Sequence, residues 1–100
     1  MKILVFFHST TCGHSRRMDS LVDHFIRTHR GSIRLAKVDF DERADLADRF
    51  NVTQAPSILL LDELTEVVRL EGRQTLPGIK SAIEPHLPAI EVPDEIVLAV

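Results

Sequence analysis

Residues 8–17 read HSTTCGHSRR and hold Cys12, the only cysteine of the chain, just past a continuous apolar run at residues 3–7. That run is too short for a helix and rich in β-formers, the pattern of a strand buried on both faces. Beyond the cysteine, Met18, Leu21, Val22, Phe25 and Ile26 repeat at the i, i+3, i+4, i+7, i+8 spacing of an amphipathic helix. Cys12 therefore lies between a strand end and a helix start. The residue three places further on, where a second cysteine would complete a redox pair, is Ser15.

Working outward, Gly31 is placed to stop the helix, with His29 and Arg30 suited to the negative end of its dipole. Ile33, Leu35 and Lys37 then alternate with Arg34, Ala36 and Val38, a second strand that ends at DFDE, and strand, helix, strand makes a βαβ unit with parallel pairing. Asp41 or a neighbour is expected to cap a short helix in ERADLADRF, with Leu46, Ala47 and Phe50 inward. NVTQAP breaks that helix. SILLL then predicts a third strand, DELT a hairpin turn, and EVVRLEG a fourth strand closed by Gly72. Thr75 is expected to cap a last helix that tolerates Pro77 in its first turn and repeats Leu76, Ile79, Ile83 and Leu87 on one face. Pro88 and Pro93 prevent that helix from continuing, and the apolar EIVLAV at 95–100 needs cover from its own body or a neighbouring chain.

Composition narrows the function classes. A chain of 100 residues with 44% hydrophobic content reads as one domain with an ordinary core. Lys plus Arg number 12 against 15 Asp plus Glu, and no basic block tracks a phosphate backbone, so nucleic acid is not an expected partner. The apolar runs at 3–7, 58–61 and 96–100 fall short of a signal-peptide core and of the roughly 18 residues that span a bilayer. No membrane partner and a cytoplasmic location are the expectations. With a single cysteine there is no internal disulfide, and any disulfide joins Cys12 to another molecule. His8, Cys12 and His14 are a weak metal signal, so no metal or other cofactor is expected. Asp39, Asp41 and Glu42 read as strand-end and capping groups, and His24, His29 and His86 as solvated or capping residues on helix faces.

This order of elements, with a cysteine after the first strand and a proline before the third, resembles the thioredoxin-fold family over about residues 3–87. The family signature W-C-G-P-C-K is met by Thr11, Cys12, Gly13, His14, Ser15 and Arg16. Its cis-proline, preceded by a small or apolar residue and followed by Thr or Ser, is matched by Ala55, Pro56 and Ser57, and its glycine after the fourth strand by Gly72. LAKVDFDE shares the family cadence through Lys37 and Asp41. The resemblance implies a mixed four-stranded sheet in the order βαβ, helix, ββ, helix, with helices on both faces. It further implies Cys12 exposed at a helix N-terminus with Pro56 beside it. A domain over 1–87 would then carry an extension, 88–100, docked on a sheet edge or a neighbour. The family tryptophan is Thr11 here, its buried acid aligns with Phe6, and its second cysteine is Ser15. The match begins at the family's second strand, which leaves 33–38 as a sheet edge unless 95–100 pair there.

The nucleophile of disulfide exchange is the thiolate, which helix N-terminal N–H groups and the helix dipole stabilise. Ser15 offers its N–H and hydroxyl, His14 occupies the position of histidine in the C-G-H-C sites of protein disulfide isomerases, and Arg16 and Arg17 add positive charge. A mixed disulfide at Cys12 has no internal thiol to resolve it, so an outside thiol must. The expected function is monothiol exchange, with Cys12, Ser15 and His14 catalytic and Thr11, Gly13, Ala55, Pro56 and Gly72 forming the substrate groove. The expected partner is a low-molecular-weight thiol or a protein thiol or disulfide, and the tail offers a route to a dimer. The alternative is a non-catalytic binding module that uses the same Cys12/Pro56 groove.

Overall fold

The opening apolar run forms β1 (Lys2–His8), in which Leu4, Val5, Phe6 and Phe7 are all buried. Successive side chains of a strand point to opposite faces, and the two sets feed separate cores. Leu4 and Phe6 join one hydrophobic cluster, Val5 and Phe7 the other. A strand of this kind must be central. In the computed structural model, which describes residues 2–11, 13–29 and 31–87, the sheet order is indeed β2 (Ile33–Asp39), β1, β3 (Ser57–Asp62), β4 (Thr65–Glu71). The docked extension expected at 88–100 lies outside the described residues.

Helix α1 (Gly13–Thr28) carries β1 into β2 (Ile33–Asp39), which pairs parallel to β1 from Lys2↔Ile33 to His8↔Asp39. The apolar stripe behaves as its spacing requires, with Met18, Val22 and Phe25 buried against Leu4, Phe6 and Ile33. Gly31 turns the chain at φ +88°. On the outer side of β2, Lys37 reaches across to Asp19 at 2.8 Å and Asp23 at 3.0 Å, tying the edge strand to α1. The Asp19 hydrogen bond is the main reason that the Lys37 pKa is raised.

His29 departs from the solvated role expected of it. Its ring is buried, lies 4.6 Å from the Phe25 ring and meets Glu84 Oε1 through Nε2 at 3.3 Å. Residues distant in sequence thus close over a histidine that follows a helix end, and it is enclosed rather than hydrated. Asp41 is also not the cap of the short helix. Asp39 Oδ1 accepts from the N–H groups of Asp41 and Glu42, and α2 (Ala44–Arg49) starts one turn later at an N-cap, Arg43, whose side chain pairs with Asp45 and makes no capping hydrogen bond. Asp41 turns instead toward the end of β1.

On the far face, α2 lays Ala47 on Val5, Phe7, Leu59 and Leu61, with Leu46 and Phe50 at the margin. Strand β3 (Ser57–Asp62) runs antiparallel to β1 and pairs with β4 (Thr65–Glu71). Arg69 of β4 donates to the carbonyls of Phe50 and Asn51, and so holds the segment that leads into the NVTQAP loop. Thr75 caps α3 (Leu76–Ile83), its hydroxyl accepting from Gly78 N at 3.2 Å, and Ile79 and Ile83 pack on the α1 side. Among the described residues, no helix is long and apolar enough to cross a membrane.

The β3–β4 hairpin turns on Glu63 and Leu64, at φ 51° and 68°. Positive φ at both central residues matches the right-handed twist of the strands, but it suits Asn or Gly far better than Leu. Leu64 is 74% exposed, so its side chain adds little packing. Leu64→Gly is therefore expected to stabilise the fold by about 0.5–1 kcal/mol, read as a higher urea midpoint with an unchanged slope.

Candidate active site

The residues around Cys12 are held by a polar network at the end of β1. Ser9 follows the strand and is buried, and its backbone N–H needs an acceptor once β1 has ended. Ser15 Oγ supplies it at 3.0 Å, from within the first turn of α1. Ser9 Oγ in turn donates to Asp41 Oδ2 at 2.8 Å and meets the Thr11 hydroxyl at 2.9 Å. Its single proton goes to the carboxylate, so the Thr11 hydroxyl and the Thr11 N–H, at 3.3 Å, are the donors to Ser9. The tips of two loops, after β1 and after β2, are thus joined through one serine hydroxyl.

Thr11 and Gly13, the neighbours of Cys12 on either side, are exposed, as is His14, while Ser15 is buried at 3% exposure. Cys12 itself lies outside the described residues. Ala55 is half-buried and Pro56 buried, and the peptide bond between them is cis. Gly72 N donates to Pro56 O at 2.8 Å, and Ser57 Oγ donates to Gln54 O at 2.7 Å. Gly72, at φ +78°, turns the chain out of β4 so that Gln74 N reaches Met18 Sδ at 3.3 Å on α1. The loops at 55–57 and 72–74 are therefore fastened to each other, and the second of them to the helix that follows Cys12.

Among the described residues, two clefts lie at the start of α1. One, of about 370 Å³, is lined by His8, Ser9, Thr10, Ser15, Arg16 and Asp19. The other, of about 390 Å³, is lined by Gly13, His14, Arg17 and Arg73. Arg73, directly after Gly72, was not singled out by sequence; its only signal was a cation following the glycine that closes β4. Ser9 and the site-facing role of Asp41 were missed as well. Phe6, at the position of the family's buried acid, is fully buried, so a phenyl ring fills that place. Among the described residues, no cluster of three or more His, Cys, Asp or Glu is placed to hold a metal ion.

A mixed sheet in the order β2-β1-β3-β4, with α1 and α3 on one face, α2 on the other and a cis-proline loop fastened to the loop that follows β4, defines a thioredoxin-like α/β protein. The thioredoxin family model matches residues 1–85, and the chain belongs to that family. It is 25% identical over 85 residues to Thioredoxin 1 of Nostoc sp., covering 85% of this chain and 79% of that protein. It is 26% identical over 84 residues to the thioredoxin of Staphylococcus saprophyticus, covering 84% and 81%. Among solved structures, thioredoxin NaTrxh from Nicotiana alata superposes with a TM-score of 0.79 at 29% identity, over 87% of this chain and 74% of that one. The family's chemistry is thiol–disulfide exchange.

Proposed function

We propose that the protein performs thiol–disulfide exchange by a monothiol route, with Cys12 as nucleophile and an outside thiol as resolver. The observation that carries this reading is Ser15. It stands at the C-x-x-C spacing from Cys12, and its buried Oγ serves the backbone of Ser9, so a hydroxyl with a structural task replaces the resolving thiol. The Cys12 thiolate attacks one sulfur of a disulfide, a new Cys12–S–S–R bond forms, and R–S⁻ leaves and takes up a proton as its pKa dictates. A second thiolate then attacks the mixed disulfide and returns Cys12. The two steps sum to exchange with no net redox change in the protein and need no cofactor.

In this reading the start of α1 favours the thiolate through its unpaired N–H groups and its dipole, with no acidic residue in the first turn to oppose them. His14 adds a donor at the exposed end of the helix. Thr11, Gly13, Ala55, Pro56 and Gly72 border the path by which a partner approaches, the last two joined by the Gly72–Pro56 hydrogen bond. The partner is a low-molecular-weight thiol or a protein thiol or disulfide, and the cytoplasm, with its pool of small thiols, is the proposed location. The tail at 88–100 is proposed as the route to a dimer.

The test is the pH profile of Cys12 alkylation by iodoacetamide. The rate is expected to rise with an inflection at least about one unit below the 8.5 of free cysteine. An inflection at or above that value would count against an activated thiolate.

A further inference from the structure

We infer that the cleft lined by Gly13, His14, Arg17 and Arg73 is a carboxylate subsite, which selects small disulfides that carry a carboxylate near the sulfur as exchange partners of Cys12. The inference rests on the exchange reading above and names the substrate class for it. Gly13, which lines this cleft, follows Cys12 directly in the chain. Arg17 from α1 and Arg73 from the loop after β4 both line it, and neither has a carboxylate partner among the described residues. The other acids nearby are already engaged. Glu71, two residues before Arg73, is held by Arg69 at 3.3 Å and by Gln54 Nε2 at 3.3 Å, and Asp19 of α1 is held by Lys37. A chain with a formal net charge of −3 therefore keeps two cations together on this cleft.

The occupant follows from size and chemistry. Guanidinium groups match carboxylates in a forked, bidentate geometry, and a cleft of about 390 Å³ falls within the small-molecule range. In the exchange step the carboxylate rests between the two arginines while the Cys12 thiolate attacks the adjacent sulfur. The S–S bond of the small disulfide breaks, the Cys12–S–S–R bond forms with the carboxylate-bearing half, and the other half leaves as a thiolate.

A series of small aliphatic disulfides tests this: dithiodipropionate is anionic, hydroxyethyl disulfide neutral and cystamine cationic. Reduced protein is reacted with each and followed by intact mass. The native chain is expected to favour dithiodipropionate over hydroxyethyl disulfide by about tenfold, with cystamine slowest and the spread narrowing as salt is added. In the Arg17→Gln, Arg73→Gln double variant that preference should fall to near unity. Arg16→Gln, which removes the same charge from the other cleft, should keep most of it. A preference unchanged in the double variant, or lost equally in Arg16→Gln, overturns the subsite. Should none of the three disulfides react, the exchange reading fails instead, and the subsite is read in Cys12→Ser protein by amide NMR titration with dithiodipropionate. Shifts at Gly13, His14 and Arg73 that vanish in the double-variant background support it, and their absence overturns it.

Discussion

Ser15→Cys is expected to raise insulin reduction in the presence of an outside thiol by more than about tenfold, because release of the mixed disulfide becomes intramolecular. The gain comes with a structural cost. Ser15 Oγ is the acceptor for the buried Ser9 N–H at 3.0 Å, and a thiol is a weak acceptor with a larger atom. Stability should fall by about 1–2 kcal/mol, seen as a lower urea midpoint. If the variant gains a cysteine and loses stability yet turns over no faster than the native chain, the missing second thiol is not what limits the reaction. Ser15→Ala separates the two effects, since it shares the stability loss and brings no new thiol.

The largest stability change is expected at Phe6. Its ring is fully buried between α1 and α3, among Leu4, Met18, Phe25 and Ile79. Phe6→Ala removes that volume from a core that cannot collapse around it, at a cost of about 3–5 kcal/mol. A domain of this size has about 5–15 kcal/mol in all, so the variant should lie close to its unfolding threshold. Phe6→Asp, which restores the family's buried acid, should be worse, because it sets a charged group among the apolar side chains of this core. Urea unfolding of the two variants checks both statements, and a loss below about 1 kcal/mol for Phe6→Ala would contradict the packing described here.

Much of the fold was legible because short-range periodicity carries it. The continuous apolar run of β1, the helical stripe from Met18 to Ile26 and the Thr75 cap depend on neighbours within a turn or two, and each appears in the structure as read. What escaped depends on residues far apart in the chain. His29 looks like a solvated helix-end residue until Glu84 and the Phe25 ring close over it. Asp41 has the composition of a helix cap, yet Asp39 takes the local N–H groups and leaves Asp41 to reach Ser9. Backbone sign is equally invisible: DELT reads as a hairpin, but nothing in the letters places Leu64 at φ 68°. For the site, the resemblance to the thioredoxin-fold family singled out Cys12, Ser15, Pro56 and Gly72. It did not disclose that Ser15 faces the Ser9 backbone, or that Arg73 comes round from β4 to face the start of α1.

The central claim is that Cys12 carries a mixed disulfide that only an outside thiol can release. Intact mass of the native chain after incubation with oxidised low-molecular-weight thiol measures it directly. The account predicts one adduct per chain that persists after the small disulfide is removed, disappears when a free thiol is added, and is missing from Cys12→Ser. A chain that forms no adduct, or one that sheds the adduct with no thiol added, would contradict it.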